Sequence, residues 1–193
     1  MGLGRAHDAG LPAGARGVSI ADVNDFERYL AAVEPRLVAG RFAAFSPPAP
    51  SGATLAGARV FHRREFVLAR FGIVDAFFVF AAMAAADATP DAVRAFSSSA
   101  FELALSHKNW LPRGFGGSAV AHPVVVTRRA GAPLRDFMAR HAPKHWASFE
   151  YPAVVDLEDG RLHLFTGTPI WGGIYYDAFR REVTAVAQPP TEA

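Results

Sequence analysis

The chain contains no cysteine. Disulfides and thiolate-held metals are thereby excluded, and any metal would need histidine and carboxylate ligands. The absence fits a cytoplasmic protein, and that location is expected. Lysine is scarce: only Lys108 and Lys144 stand among twenty basic residues, and the other eighteen are arginine. With alanine, glycine and proline abundant, this bias is that of a GC-rich coding sequence rather than of a function. The formal net charge is only +2 and no dense basic run appears, so nucleic acid is not the expected partner. No apolar stretch is long enough to span a bilayer. The longest, residues 71–86 (FGIVDAFFVFAAMAAA), holds Asp75 and falls short of the ~18 uninterrupted apolar residues required. A buried strand running into a helix start is expected there, and no membrane partner. The opening MGLGRAHDAGLPAGARG lacks the apolar core of a signal peptide and the hydroxyl at position 6 of a myristoylation site.

What is present reads as a globular α/β protein. At 193 residues, 51% apolar and 20% charged, the chain can bury a core without staples and is too apolar to be disordered. A disordered leader over 1–17, a single domain over 18–188 and a disordered tail over 189–193 are expected. Ser19 and Asp22 form a capping-box pattern before Val23, Phe26, Leu30 and Val33, which predicts a helix over 20–33. Pro35 is expected to end it, with a second short helix over 35–44. Residues 55–82 are rich in β-branched and aromatic residues with breaks at Arg63-Arg64 and Gly72, which predicts two or three strands. Thr89-Pro90-Asp91 opens a helix that ends near His107.

The last third carries the clearest pattern. HPVVV (122–126) and YPAVV (151–155) are Pro-led strands on either side of the amphipathic stretch 133–141. Asp159-Gly160 then turns into RLHLFT (161–166). A final helix follows Gly172-Gly173 and stops at Pro189-Pro190. The expected fold is a single mixed β-sheet with a C-terminal βαβ-hairpin-α unit and helices on both faces, in the order α-α-β-β-β-α-β-α-β-β-α. Its α-β-β-β-α-β portion resembles, in topology, the core of restriction-endonuclease-like folds.

That resemblance would imply a metal-dependent nuclease site of Asp followed by Glu-x-Lys on the next strand. Asp75 is expected near the start of a strand, but Ala-Phe-Phe-Val-Phe-Ala follows it, and neither lysine has a carboxylate two residues before it. The nuclease motif is absent. His141 and His145 have the spacing of a helical metal pair, to which His163 and Glu150 could add, but Pro143 interrupts the turn they need. No metal and no cofactor are expected. Ser97-Ser98-Ser99 lies within a helix without the Gly-x-Ser-x-Gly turn of a hydrolase, its hydroxyls expected on the polar side or bonded to the preceding turn. RGFGGS (113–118) lacks the context of a phosphate loop or dinucleotide fingerprint.

Topology suggests where the unusual residues meet. If the strands near 120–126 and 152–157 are parallel, segments 107–118, 144–151 and 166–173 emerge at the end where those strands begin. They bring His107, Lys108, Trp110 and Arg113, then His145, Trp146 and Glu150, then Thr168 and Trp171. All three tryptophans of the chain fall in this set. Polar-tipped aromatics beside His, Arg and Glu have the composition of a binding surface. The alternative is that the tryptophans plug the end of the core; ligands of parallel sheets usually sit at the other, carboxyl end. The expectation is a binding protein whose Trp/His/Arg-lined edge takes an anionic small molecule or a protein partner. Its rival is an enzyme of restriction-endonuclease-like topology, hydrolysing phosphodiester or related bonds at a non-standard carboxylate site around Asp75, Glu150 and Asp156.

Overall fold

A computed structural model describes residues 18–47, 53–67, 72–167 and 173–190. Helix α1 (Ile20–Ala39) starts at the reciprocal Ser19–Asp22 capping box. It runs straight through Pro35, so the break at 33 and the second helix over 35–44 do not occur. A proline inside a helix costs ~3 kcal/mol. Here Val33 and Leu37 straddle it, both fully buried, and each contributes ~1.5–3 kcal/mol. Arg36 also bonds the carbonyls of Val186 and Gln188. Packing therefore outweighs the local cost. The reversal after α1 uses a left-handed backbone at Arg41 (φ 63°), a residue that gives no sign of a turn.

Among the described residues the sheet has seven strands: β1 (Ala43–Phe45), β2 (Arg59–Val67), β3 (Gly72–Ala82), β4 (Gly117–Thr127), β5 (Phe149–Glu150), β6 (Ala153–Asp156) and β7 (Arg161–Leu164). Their spatial order is β1-β2-β3-β4-β6-β7, with β5 also on β4. β1, β2 and β3 are antiparallel, β3, β4, β5 and β6 are parallel, and β7 turns back against β6. The expected βαβ unit is present, with α3 (Ala132–Arg140) as its crossover. So is the tight hairpin, with Gly160 at φ 60°. Helix α2 (Pro90–His107) joins β3 to β4, and α4 (Gly173–Ala187) closes the fold. Pro189 is still buried, lying against the body of the domain; residues 1–17 and 191–193 fall outside the described residues.

Alternation along β3 sorts the core into two layers. Phe78 and Phe80 pack under α1 and α4. Phe77 and Val79 pack under α2, with Leu134 and Met138 of α3. Helices thus cover both faces, as the near-continuous apolar run of β3 requires.

Beside β4, the line of β5 and β6 is interrupted at Tyr151-Pro152. The register is the same on either side, Ala121 opposite Glu150 and Val124 opposite Ala153, so Pro123 faces Pro152. Tyr151 N–H donates to the Ala121 carbonyl (2.8 Å), which shows that the odd-numbered residues of β4 address this neighbour. The donor that Pro123 lacks falls on that side.

Among the described residues no helix is long and apolar enough to cross a membrane.

Candidate functional site

The parallel strands begin at one end of the sheet, and two loops stand on it: 108–116, from α2 to β4, and 141–148, from α3 to β5. Each is held from beneath by a buried carboxylate.

Asp75 of β3 holds the first loop. Its side chain is fully buried under α2. One carboxylate oxygen accepts from His62 Nε2 (2.8 Å) and Arg64 Nε (2.7 Å). The other accepts from the backbone N–H of Asn109 (2.6 Å) and from Asn109 Nδ2 (2.8 Å). Burial pushes the Asp75 carboxyl upward, but the bonds from Asn109, His62 and Arg64 outweigh it and hold it below the usual carboxylate range. Asn109 in turn accepts from the Leu111 N–H (3.0 Å). Lys108 Nζ curls back onto the carbonyls of Asn109 (2.9 Å) and Leu111 (2.5 Å). The loop then passes so close to the start of β4 that a Cβ on Gly117 would lie 2.3 Å from the Leu111 carbonyl oxygen. With Lys108 and Asn109 turned down, the loop leaves Trp110 87% and Phe115 80% exposed.

Glu150 of β5 holds the second loop. It is buried, accepting from the Ser97 hydroxyl and from His145 Nε2 (2.6 Å). The His145 ring stacks on Phe101 with centroids 3.7 Å apart. Ser148 Oγ accepts from the Ala119 N–H (3.3 Å), and Tyr176 donates to the Pro143 carbonyl (3.1 Å). Trp146, next to His145, is 79% exposed. The two loops touch: a Cβ on Gly114 would lie 3.4 Å from Trp146 Nε1.

The structure thus brings Lys108, Trp110, Arg113, His145, Trp146 and Glu150 to one end of the sheet. Arg113 is exposed, as are both described tryptophans, which therefore do not plug the core. Lys108, His145 and Glu150 hold the loops through their bonds, Glu150 from within and His145 partly exposed. His107 lies beneath, its ring 5.2 Å from that of Phe45. Thr168 and Trp171 lie outside the described residues. Four residues of this end were missed in the sequence: Asn109, which links Asp75 to the loop, Phe115, Arg64, and Phe66 near the end of β2, opposite Ile73 at the start of β3. Phe115 had a signal, a lone aromatic inside a glycine-rich loop.

Several chemical expectations need correcting. Ser97 does not lie on the polar side of α2; it is fully buried and its hydroxyl serves Glu150. In keeping with the interruption expected at Pro143, His141 and His145 do not share a helix: α3 ends at Arg140 and residues 141–145 are irregular. His163 sits at the other edge, 4.0 Å from Asp156. Asp75, Glu150 and Asp156 do not converge: Asp156 is at the far end of β6, accepting from Ala130 N–H (2.8 Å) and Asp159 N–H (3.1 Å). Among the described residues no group of three or more such side chains could hold a metal ion. Four donors already fill the acceptor sites of Asp75.

No family model, no curated protein and no solved structure matches this chain.

Proposed function

We propose that this chain is a binding module that docks an extended anionic partner surface against the amino end of its sheet. The observation that carries this is an inversion of ordinary burial: two carboxylates are buried and hydrogen-bonded on both oxygens beneath aromatic rings that stand in water. Rings of this size bury ~150–250 Å² each, worth roughly 4–6 kcal/mol at ~25 cal/mol per Å². That energy is unrealised in the free protein and available to a partner, less the costs of association. Loops held rigid from below reduce those costs. The rings stand on loop tips rather than lining a cavity, which favours a macromolecular surface over a small anionic molecule. Arg64, Arg113 and Lys144 are exposed around them. The carboxylate of Glu65 on β2 faces the other side of the sheet, where it pairs with Arg63 (3.0 Å).

Two measurements test this. Trp110→Ala and Trp146→Ala should each cost under ~1 kcal/mol in melting experiments, against the ~3–5 kcal/mol typical of a core aromatic. Arg113→Glu with Lys144→Glu should elute from immobilised heparin at clearly lower salt than the wild type. Arg129→Glu with Arg161→Glu, the same charge change at the opposite end, should shift it much less. Equal shifts from both pairs would show that net charge alone, and not this end, attracts polyanions.

A further inference from the structure

The docking reading above leaves the partner open, and the chemistry of the surface narrows it. Most of the polar side chains that hold the two loops are turned inward, and the partly exposed His145 keeps its Nε2 on Glu150. Asn109, Ser148 and Glu150 are buried, and the Lys108 ammonium is spent on backbone carbonyls. Segments 107–118 and 141–149 contain no carboxylate at all. What faces outward is three nearly free rings, Trp110, Phe115 and Trp146, with Phe66 behind them and the cations Arg64, Arg113 and Lys144 around them.

A protein partner is normally recognised by a surface that also carries directional donors and acceptors at its rim. A base-stacking platform rests one ring face on the protein and offers the other, whereas these rings have most of both faces in water. Free aromatic tips ringed by cations match a layered partner, with non-directional negative charge at the surface and hydrocarbon just beneath. Tryptophan is favoured at that boundary because its body is apolar and its N–H is polar. We propose that the amino end of the sheet docks peripherally on an anionic lipid bilayer. Trp110, Phe115 and Trp146 would reach the headgroup–acyl boundary while Arg113 and Lys144 lie on lipid phosphates. This departs from the expectation of no membrane partner, which rested on the lack of a spanning segment; surface docking needs none.

Trp110 and Trp146 are natural reporters for the test. The full chain is mixed with vesicles of phosphatidylcholine alone or of phosphatidylcholine with phosphatidylglycerol. Co-sedimentation and tryptophan emission are followed. Binding is expected only to the anionic vesicles, weakening as salt rises. Emission should shift to the blue, and lipids brominated on the acyl chain should quench it. Trp110→Ala with Trp146→Ala should lower vesicle affinity at least about tenfold, and Arg113→Glu about fivefold or more, while Arg129→Glu with Arg161→Glu leaves it nearly unchanged. Phe115→Ala, which disturbs no buried bond, should weaken binding even if the double tryptophan variant is poorly folded. Failure of the wild type to bind anionic vesicles overturns the proposal. So does vesicle binding that none of these variants weakens. If vesicles fail but heparin retention still depends on Arg113 and Lys144, the docking surface stands and its partner is not lipid. Salt-sensitive binding of a poly-dT oligonucleotide in place of vesicles would then identify single-stranded nucleic acid instead.

Discussion

Asp75 is the residue whose replacement most directly tests how this surface is built. In Asp75→Asn the side chain keeps its shape but has one acceptor oxygen and a donor NH2 where the carboxylate had two acceptors. One of its two pairs of partners must then lose its acceptor and face an N–H. Arg64 is exposed enough to turn to water, but Asn109 is buried, with both its backbone N–H and its Nδ2 on Asp75. The amide oxygen therefore stays on Asn109, but without the charge: hydrogen bonds to a charged group contribute about 1.5–3 kcal/mol each against ~0.5–1.5 for neutral ones, so the two bonds to Asn109 weaken while those to His62 and Arg64 are lost. A destabilisation of about 3–5 kcal/mol is therefore expected in urea unfolding at neutral pH. Hydrogen exchange should show the amides of Asn109 and Leu111 losing protection before the rest of α2 and β4. The pH dependence gives an independent check. The folded-state carboxyl of Asp75 is held below its unfolded value of 3.8, so its stabilisation is present above that value and is lost as pH falls through the lower folded one. The gap between wild type and Asp75→Asn should accordingly narrow below about pH 4. A penalty under ~1 kcal/mol with unchanged amide protection would refute the claim that Asp75 anchors the loop.

Glu182 of α4 is held down to about 2: burial raises it, but the bond from His122 and the proximity of Arg63 outweigh that. Its stabilisation is present above 4.5 and fades toward pH 2, so Glu182→Gln should cost on the order of 2–3 kcal/mol at neutral pH and flatten the acid limb of the stability curve. An unchanged acid limb would count against it. Gly160→Val should cost ~1 kcal/mol or more through the backbone alone, because φ is 60° and a Cβ there meets nothing within 4 Å; a thermal melt matching the wild type would show that the turn relaxes. Chelator treatment should leave the melting temperature unchanged, since the histidine pair has no helix to hold it; a loss that zinc restores would implicate His141 and His145.

Local grammar in the sequence carried most of the fold. The Val-rich runs of β4 and β6, the Asp-Gly turn and the Thr-Pro-Asp helix start each act over a few residues, so each was visible, although β4 begins at Gly117 and carries Pro123 in its middle instead of being led by it. Helix α1 passing through Pro35 was not, because the burial of Val33 and Leu37 that sustains it depends on a sheet formed far along the chain. β1 was hidden for the same reason: an isolated Ala-Ala-Phe has no period to read. At the candidate site, topology alone indicated which loops meet. It could not indicate which side chains turn inward. Asp75 finds Asn109 across 34 residues and Ser97 finds Glu150 across 53, and no spacing rule connects such pairs. The exposure of Trp110 and Trp146 goes with those hidden bonds.

The facing prolines in the middle of the sheet work as a key and its ward. Pro123 can offer no donor to its neighbour, and Pro152 lies in the interruption between β5 and β6 where none is needed. Sliding the neighbour by two residues would keep its side chains on their proper faces, so burial alone would resist the error only weakly. It would, however, carry the notch away from Pro123 and set a paired stretch of β5 or β6 against a backbone nitrogen with nothing to give. Sliding by one would turn every side chain over. Only one alignment fits both the faces and the notch, and in that alignment Trp146 is delivered beside Gly114. The alignment of the exposed rings at the end of the sheet is thus set by two residues that lie within it and touch no partner.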